Sequence, residues 1–232
     1  MKNIINCPNC ETENNFFDQN CRKCSALIRE RVVNIDLWNT IWNIIESPKK
    51  AFTKIIYAEN KNYTFFLAIL FSLKLTFNSF FIQSILGKDI DSQNYLGVNV
   101  LIGLFSFLIL FSLITFSQKR ILKNFNIITR FKDNFASFIY SSIPILISFF
   151  IIFPTQFALF GRYWLFSNPS PFEIKPLPAY VFSGMEILIL IWSGILFFLL
   201  SFVQTKSKVY SIIFAIAVLI SVGIISVFIP YL

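Results

Sequence analysis

Two closely spaced cysteine pairs are the residues of this sequence whose type and spacing best fit a chemical task. Cys7 and Cys10 form the first C-x-x-C pair, and Cys21 and Cys24 form the second after a spacer of ten residues. Such pairs are typical of tetrahedral Zn²⁺ bound by four thiolates, because each pair places two sulfurs on one ion. Four protein ligands leave no open coordination position, so the sequence predicts a structural zinc ion and not a catalytic one.

The segment that carries the cysteines is too short to fold without help. Residues 1–30 cannot bury a sufficient hydrophobic core, so we expect metal binding to supply the folding free energy. Two disulfides or a redox-active dithiol are the alternatives, and the choice depends on the compartment. Residues 1–31 hold five basic and four acidic residues, and a zinc tetrathiolate adds a charge of about −2. This balance predicts no nucleic-acid partner, since phosphate-binding modules are clearly basic.

The rest of the chain is too hydrophobic for a water-soluble domain. Of the 232 residues, 56% are hydrophobic and 14% are charged, against about 45–50% and 25% in soluble domains. Five apolar stretches are each long enough to cross a hydrocarbon core of about 30 Å as a helix. They cover residues 63–86, 96–117, 135–159, 179–203 and 209–230. Barrel strands would alternate in polarity, so the predicted fold class is an all-α membrane protein with five transmembrane helices.

The side of the membrane that includes the N-terminus is much richer in Lys and Arg than the opposite side. The counts are nine before residue 63, five in 118–134 and two in 204–208, against one in 87–95 and two in 160–178. Basic loops stay in the cytoplasm. We therefore expect an integral membrane protein, in contact with membrane lipid, with its N-terminus cytoplasmic and its C-terminus outside. This orientation favours zinc over disulfides, because the cytoplasm is reducing.

Between the cysteine segment and the first span, apolar residues recur at helical spacing and predict two short amphipathic helices. Ser47 and Pro48 are expected at the N-cap and first position of the second helix. We expect both helices to lie in the membrane interface, anchored by Trp38 and Trp42. Packing on the helix bundle or on the cysteine segment is the alternative. The predicted organisation is a zinc ribbon in 1–30, amphipathic juxtamembrane helices in 31–62 and a five-helix transmembrane domain in 63–232.

Lys74 and Glu186 are the two charged residues inside the five apolar stretches. Their depths, counted along the first and fourth spans at 1.5 Å per residue, agree within one helical turn. A charge near the midplane is costly unless it is paired or hydrated. We therefore predict an ion pair between the two helices. In the alternative, Lys74 extends towards the interface while Glu186 is protonated or faces the outer interface.

Catalytic signatures are missing from the sequence. It contains no His, and it lacks the motifs of metalloproteases, serine hydrolases, P-loop enzymes and dinucleotide-binding enzymes. A Ser–Lys dyad of Lys74 with Ser72 or Ser79 is the remaining catalytic hypothesis, and serines in apolar helices more often bond to the backbone. We therefore expect a protein without enzyme activity. Pro144 and Pro154 are expected to kink the third span.

The cysteine pairs resemble those of short zinc-ribbon modules at the N-termini of many bacterial and archaeal membrane proteins. Those modules carry the pattern C-P-x-C-G, a spacer, and then F-C-x-x-C-G. Here both cysteine pairs match, whereas Glu11 and Ser25 stand in place of the two glycines and Asn20 stands where Phe is common. The substitutions leave the metal ligands intact.

The rest of the chain resembles the Yip family of Ypt/Rab-interacting membrane proteins, in its bacterial form with a zinc ribbon. The resemblance rests on SPKKAFTKI at 47–55, FASFIYSSIP at 135–144, and a fourth span containing Trp192 followed by QTKSKVY at 204–210. It implies a non-enzymatic five-helix protein of a bacterial cytoplasmic membrane. Eukaryotic members act with small GTPases in trafficking, and no GTPase-contact residue can be carried over to this chain.

These patterns lead to two hypotheses of function. In the first, the zinc ribbon and juxtamembrane helices form a cytosolic docking surface for a protein or lipid partner, in a role of membrane organisation. In the second, the chain is a small transporter or channel that uses Lys74 and Glu186. A homo-oligomer is the remaining partner hypothesis.

Overall fold

The computed structural model describes residues 4–15, 18–28, 32–86, 96–127, 129–165 and 169–228. Within these ranges a small antiparallel hairpin precedes a mainly helical chain. The elements are β1 (Ile4–Asn6), β2 (Glu13–Asn15), α1 (Leu37–Glu46), α2 (Pro48–Tyr57), α3 (Thr64–Ile85), α4 (Leu96–Asn124), α5 (Phe131–Ser141), α6 (Ile143–Phe160), a 3₁₀ turn (Gly161–Trp164), α7 (Pro171–Ile174), α8 (Pro176–Thr205) and α9 (Lys208–Phe228).

Five segments of the described chain are long and apolar enough to cross a membrane, as the sequence predicts. They are Thr64–Ile82, Gly97–Asn124, Phe131–Trp164, Pro176–Thr205 and Lys208–Phe228. The second segment is longer than the apolar stretch 96–117, because α4 continues through polar residues up to Asn124. Gln, Lys and Arg are good helix formers, so the helix ends later than the hydrophobicity does.

The third span consists of two helices. α5 ends at Ser141 and α6 begins at Ile143, with Pro144 in the first turn of α6. Proline is tolerated there because its missing N–H would have no helical partner. Pro154 lies inside α6, which continues through it. The kink predicted at Pro144 corresponds to the break between α5 and α6, whereas α6 is continuous through Pro154 and the kink predicted there stays a prediction.

The first and third spans form the inside of the bundle. Of the most apolar stretch of each span, 72% is buried in the third span and 56% in the first, against 22% in α4. α3 packs against α4, α5, α6 and α9, and α8 packs against α6 and α9. The core includes Phe71, Phe111 and Phe138, and the rings of Phe71 and Phe111 stack with centroids 4.6 Å apart. The large exposed apolar side chains of α4 and α9 suit contact with lipid.

α2 packs on one end of this bundle, and α1 packs against α2. Asp36 caps α1, because its carboxylate accepts a hydrogen bond from the Asn39 N–H at 3.1 Å. α2 begins at Pro48, as predicted, but the Ser47 side chain makes no capping hydrogen bond. Phe52 and Ile55 of α2 are fully buried, and α2 contacts α5 and α8. Packing on the bundle, one of the two expected arrangements, therefore applies to α2.

α3 and α4 approach each other closely at Gly103. A Cβ atom placed on Gly103 would lie 2.7 Å from Thr76 Oγ1 and would also collide with Thr76 Cγ2. Thr76 is fully buried, and its hydroxyl donates to the Ser72 carbonyl at 2.9 Å. Small residues allow such close contact between membrane helices.

We predict that Gly103→Ala destabilises the bundle by about 1–3 kcal/mol, because the added methyl group forces α3 and α4 apart. Gly184→Ala is the matched control, since nothing lies within 4 Å of a Cβ atom at Gly184. The control should equal or slightly exceed the wild-type stability, because Ala favours helix more than Gly does. The Tm of each variant in detergent measures the effect. Equal Tm values for the two variants would contradict the close approach.

Candidate metal centre and buried ion pairs

The four cysteine sulfurs converge on one point. All four Sγ atoms lie within 4.8 Å of one another. Cys7 Sγ is 3.6 Å from Cys24 Sγ, and Cys10 Sγ is 3.5 Å from Cys21 Sγ. The four thiols are free. A tetrahedral ion with metal–sulfur bonds of about 2.3 Å requires sulfurs about 3.8 Å apart, so the cluster can hold a metal ion.

Both C-x-x-C pairs use the same local geometry. The Glu11 N–H donates to the Cys7 carbonyl at 2.9 Å, and the Ser25 N–H donates to the Cys21 carbonyl at 2.9 Å. Glu11 and Ser25 have φ values of 54° and 58°. These are the two positions at which the resembling modules carry glycine. A left-handed backbone costs a non-glycine residue about 1–2 kcal/mol, so the turn is retained here at an energetic cost.

Hydrogen bonds around the sulfurs favour some thiolates over others. The pKa of Cys21 is lowered to about 6, chiefly by the backbone amide of Cys24. A hydrogen bond with the Thr12 side chain lowers the pKa of Cys10. The pKa of Cys24 is raised to about 11 despite a lowering contact with the Ala26 amide, because the thiols of Cys10 and Cys7 oppose its ionisation. Four thiolates at these distances repel one another, and a bound cation would relieve that repulsion.

Residues 58–61, between α2 and α3, hold the cysteine module against the bundle; we call them the connector. The Glu59 N–H donates to the Val32 carbonyl at 3.0 Å, and the Asn60 N–H donates to the Val33 carbonyl at 2.9 Å. From the module, Gln19 Nε2 donates to Glu59 Oε1 at 3.2 Å. The connector, just before the first span, therefore contacts both the module and the segment that follows it.

Lys74 and Glu186, predicted as an intramembrane pair, are brought together. Lys74 Nζ lies 2.7 Å from Glu186 Oε1 and donates to Asn78 Oδ1 at 2.8 Å. It also lies 5.6 Å from the centre of the Phe153 ring. The Lys74 side chain is 1% exposed and that of Glu186 is 13% exposed. The ammonium is thus compensated by a carboxylate, an amide oxygen and an aromatic face.

α6 completes the surroundings of the carboxylate. Ser148 Oγ and Gln156 Nε2 donate to Glu186 Oε1 at 3.0 Å and 3.2 Å. The same carboxylate oxygen thereby joins α3, α6 and α8. Gln156 Oε1 is buried and has no hydrogen-bond partner within the described residues. Gln156 is recognisable in the sequence as a polar residue of the third span, but nothing there links Gln156 or Ser148 to Glu186, because uncharged polar residues are common in membrane helices.

Ser72 and Ser79 do not contact the Lys74 ammonium in the way that a catalytic dyad requires. Ser72 Oγ donates to the Ala68 carbonyl and Ser79 Oγ donates to the Leu75 carbonyl, each at 2.8 Å. Both hydroxyls therefore satisfy backbone carbonyls one turn earlier on α3.

We predict that Lys74→Met alone destabilises the protein by about 3–5 kcal/mol, because it leaves the Glu186 carboxylate without its counter-charge. The double variant Lys74→Met with Glu186→Leu should recover most of this loss, since an apolar pair can replace a buried ion pair at little cost. Unfolding by denaturing detergent in bicelles measures both. A double variant as unstable as the single one would contradict charge compensation.

A second buried ion pair, which the sequence analysis missed, lies at the end of the bundle that carries α2. Lys61 Nζ lies 3.1 Å from Asp133 Oδ1, and Arg130 Nε lies 2.9 Å from Asp133 Oδ2. Asp133 is fully buried. Lys61 also donates to the carbonyls of Ala58 and Ile56 at 2.7 Å and 3.0 Å. Lys61 thus donates hydrogen bonds to carbonyls at the C-terminal end of α2. Its ion pair with Asp133 joins this end of α2 to the first turn of α5.

Uncharged amides form a third buried connection. Gln118 Nε2 donates to Gln204 Oε1 at 2.8 Å, and Gln204 Nε2 donates to Asn134 Oδ1 at 3.1 Å. Asn134 Nδ2 in turn donates to Thr129 Oγ1 at 3.0 Å. This chain of bonds joins α4, α8 and α5. Its members are separated by as many as 86 residues, and no sequence pattern links them.

Trp38 and Trp42 lie on the outer face of α1. They are 79% and 62% exposed, whereas Ile44 on the other face is 1% exposed. The two indoles are one helical turn apart and point away from the contact between α1 and α2. Such large exposed aromatic groups are suited to a membrane interface or to a partner.

We predict that the free energy of unfolding increases with pH between about pH 8 and pH 10.5, because Lys61 binds its proton more weakly in the folded chain. Burial lowers the pKa of Lys61 from 10.5 to about 8, against the opposing attraction of Asp133. The unfolded chain therefore binds more protons than the folded chain in this interval, and the free energy of unfolding increases with pH. The difference in Tm between wild type and Lys61→Met, followed over this interval, measures the effect.

Lys54→Met is the matched control, because Lys54 is an exposed lysine of α2. Its Tm should follow the wild-type pH dependence, whereas Lys61→Met should lack the rise. Parallel pH profiles for wild type and Lys61→Met would contradict the burial of this ammonium.

Comparison of the chain with protein families, with curated proteins and with solved structures finds no match in any of the three. The resemblance to the Yip family therefore stays a prediction.

Proposed function

We propose that this chain is a non-enzymatic membrane protein that presents a zinc-bound N-terminal module to a protein partner at the cytoplasmic surface. The observation that carries the proposal is the convergence of the four cysteine sulfurs on a module joined to the connector by Gln19 and Glu59. A metal-bound module held at a defined place beside the bundle is suited to recognition. Its four-ligand set leaves no coordination position for a substrate.

Zinc is the metal we propose, because four thiolates in a tetrahedral arrangement are its usual structural site. When bound, the ion would be held by Cys7, Cys10, Cys21 and Cys24 and would supply the folding free energy of the module. The uneven distribution of Lys and Arg supports a cytoplasmic N-terminus. The reducing cytoplasm would keep the cysteines available as thiolates.

The α1 helix is the proposed anchor of this surface. Trp38 and Trp42 are exposed on one face, and indole rings are favoured at the level of lipid headgroups. With α2 packed on the bundle, α1 would rest at the membrane surface and keep the module close to it. The module itself exposes Leu27, which is 62% accessible to solvent, and this apolar side chain is our candidate contact with a protein partner.

One observation favours the transport alternative: within the described residues, Gln156 Oε1 beside Glu186 has no hydrogen-bond partner. The Lys74 ammonium, in contrast, is 1% exposed and fully compensated. This compensation supports a structural role for the pair. Transport would require solute flux into liposomes that disappears in the variant carrying Lys74→Met and Glu186→Leu.

The proposal predicts a metal-dependent contact from Leu27. A photo-reactive benzoylphenylalanine in place of Leu27, in the full chain and in native membrane vesicles, should form a discrete cross-link to a protein. The cross-link should disappear after zinc chelation and in Cys10→Ser, because the module unfolds without its ion. Purified wild type should contain one zinc ion per chain and Cys10→Ser should contain none.

Ile213 provides the control site, because it is a large exposed residue of α9 inside a membrane span. The same photo-reactive group at Ile213 should give lipid adducts that chelation does not change. A Leu27 cross-link that survives chelation, or one identical to that from Ile213, would contradict the docking proposal. A chain that folds its first 30 residues equally well without metal would contradict structural zinc.

A further inference from the structure

A basic cavity lies where α4 ends and the chain turns towards α5. Its volume is ≈ 950 Å³, and its lining includes Lys119, Arg120 and Lys123. The buried residues Ile127 and Thr129 line it as well. The cavity is separate from the cysteine module and from the Lys74–Glu186 pair, and no role described above uses it.

The carboxylates of the described residues do not compensate the three basic side chains of this cavity. Within the described part of the chain, no Asp or Glu forms an ion pair with Lys119, Arg120 or Lys123. Asp133, the carboxylate of the segment that follows α4, is already held by Lys61 and Arg130. Three cations within five consecutive residues of one helix repel one another, and an anion bound between them would relieve that repulsion.

The cavity lies at the depth of lipid phosphates if α4 spans the membrane. α4 has 29 residues and is therefore about 43 Å long at 1.5 Å per residue. The hydrocarbon core takes up about 30 Å of this length, and the headgroups bring the total to about 40–45 Å. An α4 centred in the bilayer has about four residues in each headgroup layer, so Lys119 lies at the edge of the hydrocarbon core and Arg120 and Lys123 lie in the headgroup layer.

An exposed apolar track on α4 leads directly to the basic cluster. Phe105 and Ile109 are each 59% exposed and Phe116 is 47% exposed, and their spacing puts them on one side of the helix. The Arg120 guanidinium lies 5.0 Å from the centre of the Phe116 ring, which places the end of the track beside the basic cluster. α4 is also the least buried of the five spans.

We propose that this face of α4 is a binding site for one anionic phospholipid. The lipid phosphate contacts Lys119, Arg120 and Lys123, and an acyl chain lies along Phe116, Ile109 and Phe105. Three unpaired cations favour a headgroup with a net negative charge over a zwitterionic one, whose own ammonium would be repelled. The apolar track favours a lipid over a soluble phosphate, because one lipid molecule can place its phosphate on the cations and its acyl chain on the track.

Native mass spectrometry of the full chain, released from micelles that contain phosphatidylglycerol and phosphatidylcholine in equal amounts, tests the site. We expect retained phosphatidylglycerol to exceed phosphatidylcholine in wild type. The variant Lys119→Gln, Arg120→Gln and Lys123→Gln should lose this preference by about tenfold or more, because each basic side chain near an anionic lipid contributes about fivefold.

The matched control changes Lys49, Lys50 and Lys54 to Gln, which removes the same charge from the exposed side of α2. It should shift the preference by about twofold at most. An equal loss of the phosphatidylglycerol preference in both triple variants would overturn the site, because general attraction between basic residues and anionic lipid would then explain the preference. Unchanged preference in the α4 variant would also overturn it.

Competition with soluble glycerol phosphate tests whether the site binds the phosphate of a lipid or a free phosphate in solution. It should not displace phosphatidylglycerol from wild type, since it lacks the acyl chain that follows Phe116. Displacement at equal concentration would overturn the lipid assignment in favour of a soluble anion. Circular dichroism of both triple variants confirms that they remain folded, which exposed positions on α2 and α4 should permit.

Discussion

The structure depends on one constraint, which is that hydrocarbon offers no hydrogen bonds to polar groups. The five spans meet it first with helical backbone and then with their side chains. Hydroxyl groups such as those of Ser72, Thr76 and Ser79 donate to carbonyls of the preceding turn. Lys74 is compensated by Glu186 and Asn78. These polar contacts fix which helix faces pack together, because each has a specific partner that apolar packing alone does not require.

The polar contacts are arranged at two depths. At the middle of the bundle, Glu186 joins α8 to α3 and α6. At the end that carries α2, Asp133 accepts from Lys61 and Arg130, and Gln204 connects α4 with α5. Removing one partner of a buried polar pair costs more than the pair contributes. The bundle is therefore most sensitive to single substitutions at these two levels and more tolerant along its lipid-facing sides.

Sequence reasoning succeeded where the signal is local or depends on depth alone. The cysteine spacing is a local pattern, and the five spans follow from composition. Lys74 and Glu186 could be matched because residue counting gives depth in the membrane, and they are the two charges within the apolar stretches. Lys61 and Asp133 were missed because both lie in polar segments, where charges are normally solvated. Their burial depends on how α2 packs, which no spacing in the sequence specifies.

The connector between α2 and α3 serves both ends of the molecule. Glu59 and Asn60 bind the segment that follows the cysteines, and the adjacent Lys61 binds Asp133 at the start of the third span. Because Glu59, Asn60 and Lys61 are consecutive residues, a shift of the backbone at one of them changes the position of the next. One short stretch of backbone therefore contacts both the segment leading from the cysteines and the start of the third span, so the two ends of the molecule share a single junction.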